Sequence, residues 1–284
     1  MAFVLSSGAS LGAVQVGVLR ALLEHGVRPD LIVGCSIGAV NGAAVACEPT
    51  AAGIAHLEQL WTATDLREVF GRSRWAPTLG LVRRREGVHS AAPFRRLLER
   101  ALPRSTFAEL SVPLHCLATD VHAGTEAWFH DGPLIEALLA STAMPAMFPP
   151  VDIGGRRYLD GAVVNDVPVR RAAELGARRI YVVAVGPLAR KWKGRTRPLG
   201  TAVEAYWLAR RHRFRQELHA LPRDVEVHLM PDGEPPRLRL TDLSRSADLI
   251  TAGHRAASDH LRSLARIDTT PFADHSEHRG TLRT

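Results

Sequence analysis

Apolar positions follow two different periods along the first fifty residues. Phe3-Val4-Leu5 is a continuous apolar run of strand length, closed by the small-residue turn Ser6-Ser7-Gly8-Ala9-Ser10. From Gly12 to Leu23 the pattern changes. Val14, Val18, Leu19 and Leu22 recur at helical spacing, and Gly26 supplies a stop. Leu31-Ile32-Val33 is the next strand, Gly34 to Gly38 a second tight turn, and Ala39 to Cys47 a helix of small residues. Strand, helix, strand, helix in this order predicts an α/β fold with a parallel sheet and right-handed crossovers.

Further along, residues 50 to 108 read as helical and irregular, with Trp61, Trp75 and the basic run Arg83-Arg84-Arg85. Leu114 to Thr119 reads as a strand, and Trp128-Phe129 as part of a hairpin after the turn at Gly124. Pro133 to Thr142 reads as a helix ended by the proline-rich stretch Pro145 to Pro150. Tyr158-Leu159 is a short strand, Ile180 to Val185 a buried one, and Val225 to Met230 a late one. Leu188 to Leu218 is basic and helical in its second half, and Ser244 to Leu264 is a closing helix. We read residues 1–268 as one domain and 269–284 as a polar, disordered tail.

Composition narrows the class. A chain of 284 residues with 46% hydrophobic content can bury a large core. It has no apolar run of about 18 residues for a membrane span, and no basic leader ahead of an apolar run at its start. Three cysteines (Cys35, Cys47, Cys116) are too few for a disulfide framework, which favours the cytoplasm. The net charge is +7, and Lys191 and Lys193 are the only lysines, so the cations are arginines. That balance suits an anionic partner such as a phospholipid surface, although base composition of the gene explains it equally well. The stretch Arg190-Lys191-Trp192-Lys193-Gly194-Arg195 suits peripheral contact with an anionic membrane, or is an ordinary solvated loop. No nucleic-acid signature is present, and no ligand spacing calls for a metal, calcium or another cofactor.

The strongest chemical signal is Gly34-Cys35-Ser36-Ile37-Gly38, a G-x-S-x-G between a strand and a helix. A nucleophilic serine must project from such a turn, and glycines at Gly34 and Gly38 remove the Cβ atoms that would clash. The bland reading is a turn with a capping serine. The turn before the first helix opens at the same sheet edge, so backbone N–H groups of Gly8, Ala9 and Ser10 are candidate oxyanion donors. A phosphate loop is the competing reading, but neither G-x-G-x-x-G spacing nor a following lysine is there. For the base, His219, His228, His254 and His260 occur late in the chain, none in a glycine-flanked strand-end loop. Asp160, in Tyr158-Leu159-Asp160-Gly161-Ala162, ends a strand and is the better candidate. An isolated Asp-Gly is more often a plain turn.

Together, S-G-A-S-L-G at Ser7 to Gly12, G-C-S-I-G at Gly34 to Gly38, S-T-A-M-P-A-M-F-P-P-V at Ser141 to Val151 and D-G-A-V-V-N-D-V-P at Asp160 to Pro168 resemble the patatin-like phospholipase family, over roughly residues 3–185. The resemblance implies a three-layer α/β/α fold with a mainly parallel central sheet. It also implies a Ser–Asp dyad without histidine, in which Ser36 attacks a lipid ester and Asp160 accepts its proton. Two departures stand out. Ser7 and Ala9 replace glycines of the family's first turn and Leu11 replaces its basic residue, while Ala162 replaces a commoner glycine. Met144, Met147 and Phe148 are candidates for a wall of the acyl pocket, or for core. Asn165 and Asp166 are expected to organise the loop after Asp160. An acyltransferase using the same acyl-enzyme, and a membrane-surface binding protein on the same fold, are the alternatives.

Overall fold

The computed structural model describes residues 1–70, 87–186, 198–233 and 242–268. In its first strand, β1 (Ala2–Leu5), alternate side chains divide the core in two. Phe3 and Leu5 join a large apolar cluster on one face of the sheet, whereas Ala2 and Val4 join a smaller one on the other. Both faces are therefore covered, as a parallel sheet requires.

The larger cluster is built by α1 (Gly12–Glu24), α2 (Ile37–Cys47), α3 (Ala51–Ala63), α5 (Ala92–Ala101), α6 (Leu134–Ser141) and α9 (Ser246–Asp268), with the short α4 (Leu66–Phe70) beside α5. The opposite face is covered by α7 (Val169–Glu174) and α8 (Pro198–His219), which contribute Val169, Ala172 and Phe214. This is a three-layer α/β/α arrangement. Its remaining strands are β2 (Leu31–Cys35), β3 (Leu114–Asp120), β4 (Thr125–Phe129), β5 (Val151–Ile153), β6 (Arg156–Asp160), β7 (Arg179–Val183) and β8 (Glu226–Leu229). They run in the order β5-β6-β3-β2-β1-β7-β8, with β4 on β3. The pairs β3-β2, β2-β1, β1-β7 and β7-β8 are parallel, and β4, β5 and β6 pair antiparallel.

One register positions the site. β2 pairs with β3 as far as Cys35 opposite Leu117, and β6 pairs with β3 from Asp160 opposite Ala118. Because β4 occupies the other edge of β3 from Cys116 to Asp120, β2 and β6 lie end to end along a single edge. The residue after Cys35 thus meets the last residue of β6.

The elements depart from the sequence reading mainly at their ends. The helix after the second turn begins at Ile37, immediately after Ser36, and not at Ala39. Val151 to Ile153 forms an extra strand, which turns through Gly154 and Gly155 into β6. The strand within Ile180 to Val185 ends at Val183. Trp75, Arg83 to Arg85, the Arg190 to Arg195 stretch and the tail 269–284 lie outside the described residues. Among the described residues, no helix is long and apolar enough to cross a membrane.

Candidate active site

Ser36 sits between β2 and α2 with φ 55° and ψ −124°, a conformation that costs a non-glycine residue about 1–3 kcal/mol. Its surroundings hold it there. A Cβ on Gly38 would lie 2.4 Å from the carbonyl oxygen of Ser6, so only glycine lets α2 approach the end of β1 this closely. The Ser36 amide donates to the Ser141 hydroxyl at 2.9 Å, and that hydroxyl donates to the Leu117 carbonyl at 2.6 Å. Ser141, at the end of α6, is a site residue that sequence reasoning did not single out.

The Ser36 hydroxyl donates to Asp160 Oδ2 at 2.6 Å. Asp160 Oδ1 accepts from the Ala162 amide at 2.9 Å, and its backbone carbonyl accepts from the Thr119 hydroxyl at 2.8 Å, so the carboxylate has little freedom to turn. Both residues are buried. Burial pushes the Asp160 carboxyl up to about 6, against the Ser36 and Ala162 hydrogen bonds and the charge of Arg210, which pull it down. At neutral pH the carboxylate is still ionised, and it holds a proton more tightly than an ordinary aspartate does. A hydroxyl bonded to such a group can pass it a proton while attacking an electrophile.

The first turn faces the same space. Gly8, Ala9 and Ser10 line one cavity with Ser36 and Asp160. Ala9 takes φ 48°, a left-handed conformation that glycine adopts at no steric cost, where the family resemblance places a glycine. Leu11 packs against the larger core cluster. A buried polar chain ties the turn to its neighbours. Gln15 Nε2 donates to the Ser6 carbonyl at 2.7 Å, Asn41 Nδ2 to Gln15 Oε1 at 2.9 Å, and Trp61 Nε1 to Asn41 Oδ1 at 2.9 Å. Asp166 reaches further than its own loop: Oδ1 accepts from the Ser7 amide at 3.1 Å. Asn165 Nδ2 donates to Glu126 at 2.9 Å.

The cavity has a volume of about 510 Å³, and away from Ser36 its walls are apolar, including Val40, Leu57, Leu60, Leu98 and Phe148. Met144 lines it as well, whereas Met147 is not among its lining residues. Phe148 stacks on Phe70 and Phe94, with ring centroids 5.6 and 6.2 Å away. Its size is within the range of small-ligand pockets.

The largest contribution that sequence reasoning missed comes from α8, through Tyr206, Trp207 and Arg210. Tyr206 Oη donates to the Ala162 carbonyl at 3.2 Å. Arg210 is buried, pairs with Asp166 Oδ1 and donates to the Ser7 hydroxyl. A basic helix without an apolar stripe offers no sign of this. Of the late histidines, His228 stacks on Tyr181 and His254 bonds Glu24, and none of the four lines the cavity. Among the described residues no group of His, Cys, Asp and Glu is arranged to hold a metal ion.

This is a serine–carboxylate pair at the parallel edge of a three-layer α/β/α sheet. The family model for patatin-like phospholipases matches residues 3–173, and the chain belongs to that family. It is 29% identical over 188 residues to patatin-like phospholipase domain-containing protein 6 of Mus musculus, a match covering 66% of this chain and 13% of that protein. It is also 29% identical over 210 residues to an uncharacterized NTE family protein of Mycobacterium bovis, covering 74% of this chain and 55% of the relative. The chain therefore matches only part of these relatives' length. Among solved structures, VipD from Legionella pneumophila superposes with a TM-score of 0.51 at 12% identity, covering 92% of this chain and 66% of that one, which is a likeness of fold.

Proposed function

We propose that the protein is a serine acyl hydrolase that cleaves carboxylic esters of phospholipids or related lipids. The observation that carries the reading is the 2.6 Å hydrogen bond from the Ser36 hydroxyl to a buried Asp160, at the head of an apolar cavity.

In this reading the acyl chain lies in the cavity and the ester carbonyl sits over Ser36. Ser36 Oγ bonds to the carbonyl carbon as its proton passes to Asp160 Oδ2. The carbonyl oxygen, now an oxyanion, is held by the backbone N–H groups of Gly8, Ala9 and Ser10. When the tetrahedral species collapses, the ester C–O bond breaks and the departing alcohol takes the proton from Asp160. Water then attacks the acyl group on Ser36 and gives its proton to Asp160. That proton returns to Ser36 Oγ as the fatty acid leaves. No metal or organic cofactor enters the scheme.

The test is hydrolysis of a panel of p-nitrophenyl esters and phospholipids by wild type, Ser36→Ala and Asp160→Asn. Wild type should release p-nitrophenol from medium-chain esters, and each variant should lose at least about a thousandfold in kcat, as nucleophile and base act as a unit. Undiminished turnover by Ser36→Ala overturns the assignment.

A further inference from the structure

We propose that Arg210 is a positioning residue of the acyl-transfer site. In this account it clamps the Ser7–Ser10 turn against the segment that carries Asp160, and it supplies a fixed positive charge to both. The inference rests on the acyl-hydrolase reading above, and it extends the site beyond residues 3–173, the stretch matched by the family model.

Three contacts make the clamp. Arg210 pairs with Asp166 Oδ1 and donates to the Ser7 hydroxyl, while the same Asp166 oxygen accepts from the Ser7 amide. Ser7 is thus held by both its backbone and its side chain, one residue before the Gly8-Ala9-Ser10 amides. Asp166 lies on the segment that leads out of Asp160, so the guanidinium joins the two halves of the site. A parallel link runs from the neighbouring turn of α8. Tyr206 Oη bonds the Ala162 carbonyl, and the Ala162 amide bonds Asp160 Oδ1.

The guanidinium is also fixed in orientation. It lies over the rings of Trp207 and Tyr206, 4.4 and 5.0 Å from their centroids. A buried charge of this kind is costly, and replacing such a pair with apolar residues is often neutral or stabilising. The pair here is also incompletely satisfied: among the described residues, Arg210 Nε and Asp166 Oδ2 are buried without a hydrogen-bond partner. Stability alone is a poor reason to keep such an arrangement. The Ser6 to Gly12 turn carries no charged side chain of its own, and its Leu11 packs against the larger core cluster. The cation near the oxyanion donors comes from α8 instead.

The charge acts on the base as well. Arg210 is the charged group that acts on Asp160, Ser36 and Ala162 donate hydrogen bonds to it, and the Asp160 carboxylate in turn bears on Tyr206 of α8 and Cys35 of β2. Arg210 lowers the Asp160 carboxyl, and its own group, drawn down to about 10 by burial, stays charged at neutral pH.

The experiment compares full-length wild type, Arg210→Gln, Arg210→Lys and Ser7→Ala on p-nitrophenyl butyrate across pH 4.5–9, with circular dichroism to set the folded concentration. Arg210→Gln should lose about 10–100-fold in kcat, less than the loss of a direct oxyanion donor, with KM within about twofold. The acid limb of its pH profile should move upward. Arg210→Lys should restore the position of that limb but only part of kcat, since an ammonium keeps the charge and cannot fork to two partners. Ser7→Ala should lower kcat several-fold and leave the limb in place, and it tests the clamp even if Arg210→Gln fails to fold. Unchanged kcat and an unmoved limb in the folded Arg210 variants overturn the role of Arg210 alone. A wild type that hydrolyses no ester overturns the acyl-hydrolase reading instead.

Discussion

Asp160 takes up the edge of β3 at the point where Cys35 leaves it: Cys35 lies opposite Leu117, and Asp160 opposite Ala118. β2 arrives parallel to β3 and β6 antiparallel, so the two strands end against each other. Ser36, the next residue after Cys35, is then delivered to the carboxylate by sheet register. The 2.6 Å hydrogen bond between them is a consequence of strand pairing, and the loops need only avoid obstructing it.

In the proposed mechanism the state of Asp160 sets a pH dependence. Its carboxyl, pushed up to about 6 mainly by burial, must be ionised to accept the Ser36 proton. Ester hydrolysis should therefore fall as pH drops through about 6. We expect kcat/KM on a neutral ester to titrate with a midpoint near that value, measured in buffers of constant ionic strength. A profile flat from pH 8 down to 5 would exclude Asp160 as the base.

The same burial has a stability consequence of definite sign. Because the folded carboxyl titrates near 6 and its ordinary value is 3.8, the folded state holds the proton more tightly than the unfolded chain. Wild type should thus lose stability as pH rises from about 4 to 6. Asp160→Asn carries no charge and avoids this cost. Urea denaturation should find the variant more stable at pH 8 by about 3 kcal/mol, shrinking below about 1 kcal/mol near pH 4. Equal stability of the two proteins at pH 8 would contradict the raised value.

A third prediction concerns the cavity. Ala44 lies on α2 within its lining, and a phenylalanine there would occupy part of the 510 Å³. Ala44→Phe should keep activity on p-nitrophenyl acetate within about threefold and lose about tenfold or more on the decanoate, as apolar contacts are traded for steric exclusion. Equal loss on both esters would place the acyl chain elsewhere.

Much of this site is written locally in the chain. The β1 and β2 runs, the turns at Ser6 to Ser10 and Gly34 to Gly38, and Asp160 at the end of an apolar pair are all short-range patterns. Gly38 shows why they are legible: its missing Cβ is a requirement of backbone approach, and backbone approach dictates residue type. What could not be read depends on long-range partners. Ser141 looks like any helix-end serine until its hydroxyl is seen to bridge the Ser36 amide and the Leu117 carbonyl. Arg210 sits on a helix with several other arginines, and only its position, 203 residues from Ser7, distinguishes it. Met147 shows the opposite limit. The pattern M-P-A-M-F made both methionines candidates for the pocket wall or for core, and with the chain turning at Ala146, φ 69°, Met144 lines the cavity and Met147 does not.

The central claim is that Ser36 is a nucleophile activated by Asp160. The most direct measurement is covalent labelling by a fluorophosphonate, read by intact mass and peptide mapping. The account predicts one adduct per chain, on Ser36, absent from Ser36→Ala and formed far more slowly in Asp160→Asn. A stoichiometric adduct on another residue, or labelling of Asp160→Asn at the wild-type rate, would contradict it.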